Sequence, residues 1–528
     1  MGNAKSLSGQ KMGSRFLPEE QAEVDKLFDA LSSSDGGVAT GTFSLEALKS
    51  HVKEALPPAM VARLYNGMWR VKPTDRAHGS CRSVSREQFT VFLSHLLKGS
   101  CEEKGLMVMK MISVAEGPTK TRDVQKFTED LVASVVHVLT HRHELRGWTW
   151  RKSTVPHDSM QAMVAQLLSE MKFQGKCGAA ILCPVIQTLA CWSASVVTTQ
   201  TSQGGSAVAC ACLPCSAIAV GYPRVLQLCR SHCVIRLPPL VSVSEILDGQ
   251  KFLGPQCLDQ VCDQAMIEEW VFHVPLVGVF LSVVIHRGLC LLASSFDLST
   301  LVPECHVDGG RPSESILDVL SVIYLSSHLA VEHRQCWRLL FSTQLHGQSF
   351  SQLCSLITSQ GPSLIVLEDR DGYVFGGFAS CSWEVKPQFQ GDNKCFLFSI
   401  APRMATYTPT GYNNHFMYLN YGQQTMPNGL GMGGQHHYFG LWVAADFGKG
   451  HSKAKPACTT YSSPQLSAQE DFQFEKMEVW GLGNLSEKDQ GTNKKSILDS
   501  NPDARSLLEI SGRTRHSEGL REVPKDED

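Results

Sequence analysis

The chain has 528 residues, 48 Lys and Arg against 51 Asp and Glu, a formal net charge of −3 and 19 cysteines. Its length suits about three domains with a sizeable core, and its near-neutral balance offers no basic field to a nucleic acid, so none is expected as partner. Scattered cysteines and a polar start without a secretory leader point to a reducing, cytosolic setting.

The first residues, Met1-Gly2-Asn3-Ala4-Lys5-Ser6, fit the N-myristoylation pattern, with Gly2 as the acceptor after loss of methionine and Ser6 completing the motif. Lys5, Lys11 and Arg15 precede the first acidic residue, Glu19, and would add attraction to an anionic leaflet. One acyl chain gives only marginal, reversible binding. Residues 1–18 are therefore read as a lipidated segment that meets a membrane.

Residues 19–146 read as helical. Val24, Leu27, Phe28 and Leu31 share one face, a Ser/Gly loop follows, and Phe43-Ser44-Leu45-Glu46 opens a second helix. The phrase returns as Val84-Ser85-Arg86-Glu87-Gln88-Phe89, so the region resembles a pair of EF-hands. The calcium ligands do not follow. With Gly41 as the turn glycine, Ala47 and Val38 occupy ligand positions; with Glu46 as the last ligand, Gly37 and Ala39 do; and Gln88 stands where the second loop needs a bidentate glutamate. The expectation is a helical scaffold without tight calcium binding. Helical periodicity continues through Gly105–Met111 and Val124–Leu139.

Residues 147–174 read as a linker and helix. In residues 175–250 the composition changes: from Cys177 to Ser244 there is no acidic residue, and eight of the 19 cysteines fall there. Cys212-x-x-Cys215 and Cys229-x-x-His232, with Cys210 and Cys233 alongside, have zinc-compatible spacing. No strand or helix framework brackets them, so a poorly packed insert is the reading and no metal or other cofactor is assigned. Residues 251–314 form an apolar connection. Its longest run, Val274 to Ile285, is interrupted by Pro275 and closed by His286-Arg287-Gly288, too short for a membrane span and suited to a buried strand or helix.

Residues 315–483 follow a β grammar. Leu364–Leu367, the turn signal Asp369-Arg370-Asp371-Gly372 and Tyr373–Phe375 form a hairpin. Cys395–Ile400, Tyr438–Ala444 and Lys476–Leu482 are further strands between Gly, Pro and Asn, which predicts an antiparallel sandwich of two sheets. The glycine-rich piece from Gly429 to Gly434 lacks the third glycine of a dinucleotide fingerprint and lies among strands, so close packing is its expected role.

Trp337-Arg338-Leu339-Leu340-Phe341, His346-Gly347-Gln348-Ser349-Phe350, Phe375-Gly376-Gly377-Phe378, Gly429–Gly434, Phe439-Gly440-Leu441-Trp442 and Met477-Glu478-Val479-Trp480, in this order, resemble the TLDc domain. The motif positions carried by the resemblance are Gly376, Gly377, Gly431, Gly433, Gly434, Trp442, Glu478 and Trp480. Against the family's pattern, in which the helix ending near Met171 leads more directly into Phe252-Leu253-Gly254-Pro255, residues 175–250 read as an isoform-specific or mis-spliced insert. The fold class expected is α+β: a helical EF-hand-like region, a TLDc β-sandwich flanked by helices, and a short C-terminal helix.

No residue in the tract is an evident catalyst. Glu368, Asp369 and Asp371 suit a solvated turn. His436 and His437, read as strand neighbours, would point to opposite faces and could not chelate one metal together. Cys458 lacks an evident base. Glu478, flanked by Met477 and Val479 on a core strand, needs a partner, and a structural ion pair is expected before a general base.

The tail, residues 484–528, encodes one helix of about ten residues: Asn501 caps it, Pro502 opens it and Gly512 ends it, over 502–511. Too short to be stable alone in water, it reads as a recognition helix that forms on docking. Within the TLDc family, an acylated N-terminus, an EF-hand-like pair and a capped C-terminal helix resemble the mTOR-associated, lysosomal branch. That resemblance implies a non-enzymatic regulator on the lysosomal membrane, with the vacuolar proton-pumping ATPase and mTOR or its complexes as partners, and Leu507, Leu508 and Ile510 as helix contacts. The competing implication is protection against oxidative stress by a thiol- or carboxylate-dependent activity at Cys458, Glu478 or the histidines.

Overall fold

The structure, a computed structural model, describes residues 15–33, 41–72, 83–113, 117–150, 159–171, 258–307 and 315–483. Gly2, the insert with Cys210, Cys212, Cys215, Cys229, His232 and Cys233, and the tail helix with Leu507, Leu508 and Ile510 lie outside the described residues. The chain divides into two compact units, one of residues 1–138 and 164–293, the other of residues 139–163 and 294–528.

The first unit is helical. Helix α1 (Pro18–Ser33) carries Glu19 and Glu20 in its first turn, where the helix dipole favours them, and buries Val24, Phe28 and Leu31. Strand β1 (Thr42–Phe43) leads into α2 (Leu45–Val52), whose N-cap Ser44 accepts from the Ala47 amide. Helix α3 (Pro58–Trp69), strand β2 (Val84–Ser85) and helix α4 (Arg86–Lys98) repeat that order. The two strands pair antiparallel, Phe43 opposite Val84, and the Phe43 and Phe89 rings meet edge to face at 5.6 Å. Gln88 completes a capping box with Ser85, and its amide donates to the Trp69 carbonyl at 2.9 Å and the Val71 carbonyl at 2.8 Å. That side chain is occupied in holding backbone together.

Helices α5 (Cys101–Ile112) and α6 (Thr121–His141) add Arg63–Asp130, a largely buried ion pair at 2.8 Å. The apolar run from Val274 forms the helix Pro275–Val283, which passes into a π turn over Val284–Gly288 and buries Val277, Phe280 and Ile285. No single described helix is long and apolar enough to cross a membrane.

The second unit is built on a sheet. Its strands are β3 (Glu304–His306), β4 (Cys336–Ser342), β5 (Ser363–Asp369), β6 (Val374–Ala379), β7 (Lys386–Gln390), β8 (Phe396–Ala401), β9 (Ala405–Tyr407), β10 (Met417–Asn420), β11 (Gly429–Gln435), β12 (Tyr438–Ala444), β13 (Lys449–His451) and β14 (Asp471–Leu482). The order is β7-β10-β11-β12-β13-β14-β5-β6-β8-β9, with β4 joined to β14 and β3 to β4. From β5 onward the pairs are antiparallel, whereas β3 and β4 run parallel.

The expected pair of separate sheets is instead one continuous 12-stranded sheet. The reason is β14, whose Asp471–Gln473 pair with β13 while Phe474–Gly481 pair with β5 and Glu478–Leu482 with β4. The halves nevertheless face each other across a shared core: a Cβ on Gly377 of β6 would lie 2.4 Å from Met432 Sδ of β11. Helix Phe350–Ile357 seals the core with Phe350, Leu353 and Ile357.

Candidate functional site

On the face of the sheet away from that core lies an aromatic group of Tyr418, Phe439 and Trp442, with Phe389 packed against it. Two glycines of β11 make room for it. A Cβ on Gly431 would fall 2.7 Å from Phe439 and 2.9 Å from Trp442, and one on Gly429 would fall 2.4 Å from Trp442. The rings of Phe439 and Trp442 can therefore lie against backbone and stack at 4.6 Å. Gly433 and Gly434, at φ +71° and +82°, re-aim the strand at its end, a backbone that side chains rarely adopt. This explains the glycine-rich piece as packing. Gly376 is held as closely on β6, where a Cβ would meet the Ile365 carbonyl oxygen at 1.8 Å.

Histidines cap the aromatic group at both ends. His415 stacks on Phe389 at 4.1 Å and His436 stacks on its ring at 5.3 Å, while His451 stacks on Trp442 at 5.8 Å. Burial, reinforced by Lys453, holds His451 down at about 4, and burial also lowers His436. His436 and His437 form the turn between β11 and β12, since Gln435 pairs directly with Tyr438, and do not lie on a strand as expected. His437 takes φ +67° there, a left-handed backbone that histidine adopts more readily than branched residues do. Among the described residues no group of three or more His, Cys, Asp and Glu is placed to hold a metal ion.

Glu478 and Trp480 sit on the inner part of β14. The Glu478 carboxylate is 2% exposed and accepts from Ser315 Oγ at 2.9 Å, the Ile316 amide at 3.1 Å and Trp480 Nε1 at 3.1 Å. Trp480 packs against Trp148 with ring centroids 4.8 Å apart, and Trp148 meets Trp337 edge to face at 5.6 Å. Trp148 comes from the segment before α7 (Ser159–Ser169), far from the β tract in sequence, and its Nε1 donates to the Pro303 carbonyl at 2.9 Å. Sequence reading passed over it. The only local signal is the dense aromatic phrase Gly147-Trp148-Thr149-Trp150.

The remaining candidates are structural. Asp369, 5% exposed, accepts from the Asp371 and Tyr373 amides at 3.0 and 2.8 Å and from Ser467 Oγ at 2.6 Å, fastening the β5–β6 turn. Burial pushes its carboxyl up. Cys458 is 4% exposed, and its thiol lies in the core where a Cβ on either Gly433 or Gly440 would approach it to 2.8 Å. Exposed aromatics cluster near the β11–β12 turn: Tyr438 is 62% exposed, and Tyr412, in the loop bound to Thr459 and Thr460, is 80% exposed. The arrangement is a closely packed platform with an aromatic rim.

The sheet and its glycine and tryptophan motifs define a TLDc-domain protein, and the TLDc domain family matches residues 311–483. The chain belongs to the family of the MTOR-associated protein MEAK7. It is 77% identical to that protein of Mus musculus over 528 residues, covering all of both chains, and 57% identical to that of Homo sapiens over 529 residues, again covering all of both. The likeness to nuclear receptor coactivator 7 of Homo sapiens is local, 30% over 174 residues, 33% of this chain and 18% of the other.

Proposed function

We propose that the chain is a non-enzymatic peripheral regulator at the cytoplasmic face of the lysosomal membrane, which binds the vacuolar proton-pumping ATPase and supports mTOR signalling. The observation that carries the mTOR part of this reading is full-length identity, 77% and 57%, to proteins named for association with mTOR. The engagement of Glu478 by three donors and the core position of Cys458 support a platform over a thiol- or carboxylate-dependent activity.

In this reading Gly2 carries the lipid, the TLDc platform meets the pump, and Leu507, Leu508 and Ile510 supply helix contacts. The first unit acts as an EF-hand-like scaffold. The β1–β2 pair between the two helix–loop–helix segments supports that assignment, and the commitment of the Gln88 amide to capping and backbone contacts supports a scaffold independent of calcium.

Affinity purification from cells tests it, comparing the full chain with one ending at Ser500. The full chain is expected to recover the vacuolar ATPase and the shortened chain to recover much less; equal recovery removes the helix contacts. Gly2→Ala is expected to move the protein from the membrane to the soluble fraction without changing its melting temperature.

A further inference from the structure

Two arginines of the second unit share one face of the sheet with too little negative charge between them. On β4, Cys336 and Arg338 alternate to the same side, and their parallel neighbours on β3 are Glu304 and His306. Arg146 is attached to β3 through its carbonyl, which accepts from the Cys305 amide at 2.9 Å, and its guanidinium reaches Glu304 at 3.7 Å, beyond hydrogen-bond distance. His306 lies 3.6 Å from the same carboxylate. The opposite face of β4 is closed by Trp337 against Trp148.

Arg338 stands out within this group. Its Nε is buried without a hydrogen-bond partner, as is Nε of Arg146, and among the described residues no carboxylate pairs with the Arg338 guanidinium. Gly481 lies directly opposite on β14, and a Cβ there would fall 3.2 Å from Arg338 Nη2 and 3.1 Å from Leu340. The glycine leaves room for the guanidinium. Arg338 has thus given up part of its hydration without gaining a counter-charge, an unfavourable state that an anion would relieve.

We propose that Arg338, supported by Arg146 and laid over Gly481, is a docking point for a carboxylate side chain of an acidic segment in a partner protein. The planar fork of a guanidinium matches a carboxylate in two parallel hydrogen bonds. Among the described residues, two arginines against Glu304 leave a net charge of about one, which suits a singly charged carboxylate better than a phosphate dianion. Half-exposed Glu304 screens Arg146 in part and repels a more highly charged group. Arg146 and Glu304 precede the matched domain, so this site is assembled from residues on both sides of its boundary.

The test uses the full chain and a fluorescein-labelled acetyl-tetraglutamate amide, read by anisotropy, with the tetraglutamine peptide and inorganic phosphate as the other probes. Saturable binding of the glutamate peptide alone is expected, and Arg338→Gln should weaken it about ten-fold, the worth of one charge-assisted pair. Arg338→Lys keeps the charge but not the fork and should also bind several-fold more weakly. Gly481→Ala, which leaves both arginines in place, should weaken binding by displacing Nη2. Bound peptide should slow alkylation of Cys336, which locates the site independently. Equal binding of glutamine and glutamate peptides, or undiminished binding by folded Arg338→Gln or Arg338→Lys, overturns the proposal. Tighter binding of phosphate overturns the carboxylate assignment.

Discussion

Trp480 donates from its indole Nε1 to Glu478 Oε2 at 3.1 Å, two residues away along the same strand. Alternation along β14 places both side chains on one face, where the carboxylate also receives Ser315 and the Ile316 amide. One buried acid therefore fastens the segment that enters the domain to its last strand. Glu478→Ala leaves those donors without an acceptor and is expected to cost about 3 kcal/mol, with Glu478→Gln costing roughly half as much. Thermal unfolding followed by tryptophan fluorescence measures it. An unchanged melting temperature for Glu478→Ala contradicts the structural role.

The glycines of β11 differ in what holds them. Gly431→Ala puts a Cβ 2.7 Å from Phe439 and is expected to destabilise the sheet by about 1–3 kcal/mol through overpacking. Gly347, at φ +75° with nothing within 4 Å, meets only a backbone penalty, and Gly347→Ala should cost about 1 kcal/mol. Chemical denaturation of the two variants separates steric from conformational cost.

Trp148 lies outside the residues matched to the TLDc family yet is buried between Trp337 and Trp480. Trp148→Ala is expected to lower stability by about 3–5 kcal/mol, the range for removing a core aromatic. Hydrogen exchange would show the loss in β4 and β14. Exchange there as slow as in the unaltered chain contradicts the placement.

Acid should weaken the second unit through His451. Burial holds that imidazole at about 4 in the folded chain against 6.5 ordinarily, so the unfolded chain takes up a proton that the folded chain refuses. The contribution is complete above about 6.5 and is lost as pH falls through 4, at most about 3 kcal/mol. Asp369 acts in the opposite sense: its carboxyl is pushed up by burial, so its contribution is present below the unfolded value and is lost as pH rises through the raised one. His451→Phe should flatten the fall in melting temperature between pH 6.5 and 4, and Asp369→Asn should steepen it.

Local grammar was legible because it depends on neighbours. The hairpin turn at Asp369–Gly372 and strand β12 from Tyr438 to Ala444 both follow from adjacent residues. Long-range pairing was not. No local signal says that β14 would bridge both halves of the sheet, or that Trp148 would cross more than 300 residues of chain to reach Trp480. Reading His436 and His437 as a strand failed for a related reason, since the register that pairs Gln435 with Tyr438 leaves just those two for the turn. The charge gap at Arg338 is equally invisible in sequence, because it arises where β3, β4 and β14 meet.

The most direct test of the regulator reading is binding of the purified, myristoylated full chain to purified vacuolar ATPase, measured by co-sedimentation across a concentration series. Saturable binding at one copy per pump is the expected result. No saturable binding at micromolar concentrations, with the protein folded and lipidated, would contradict it.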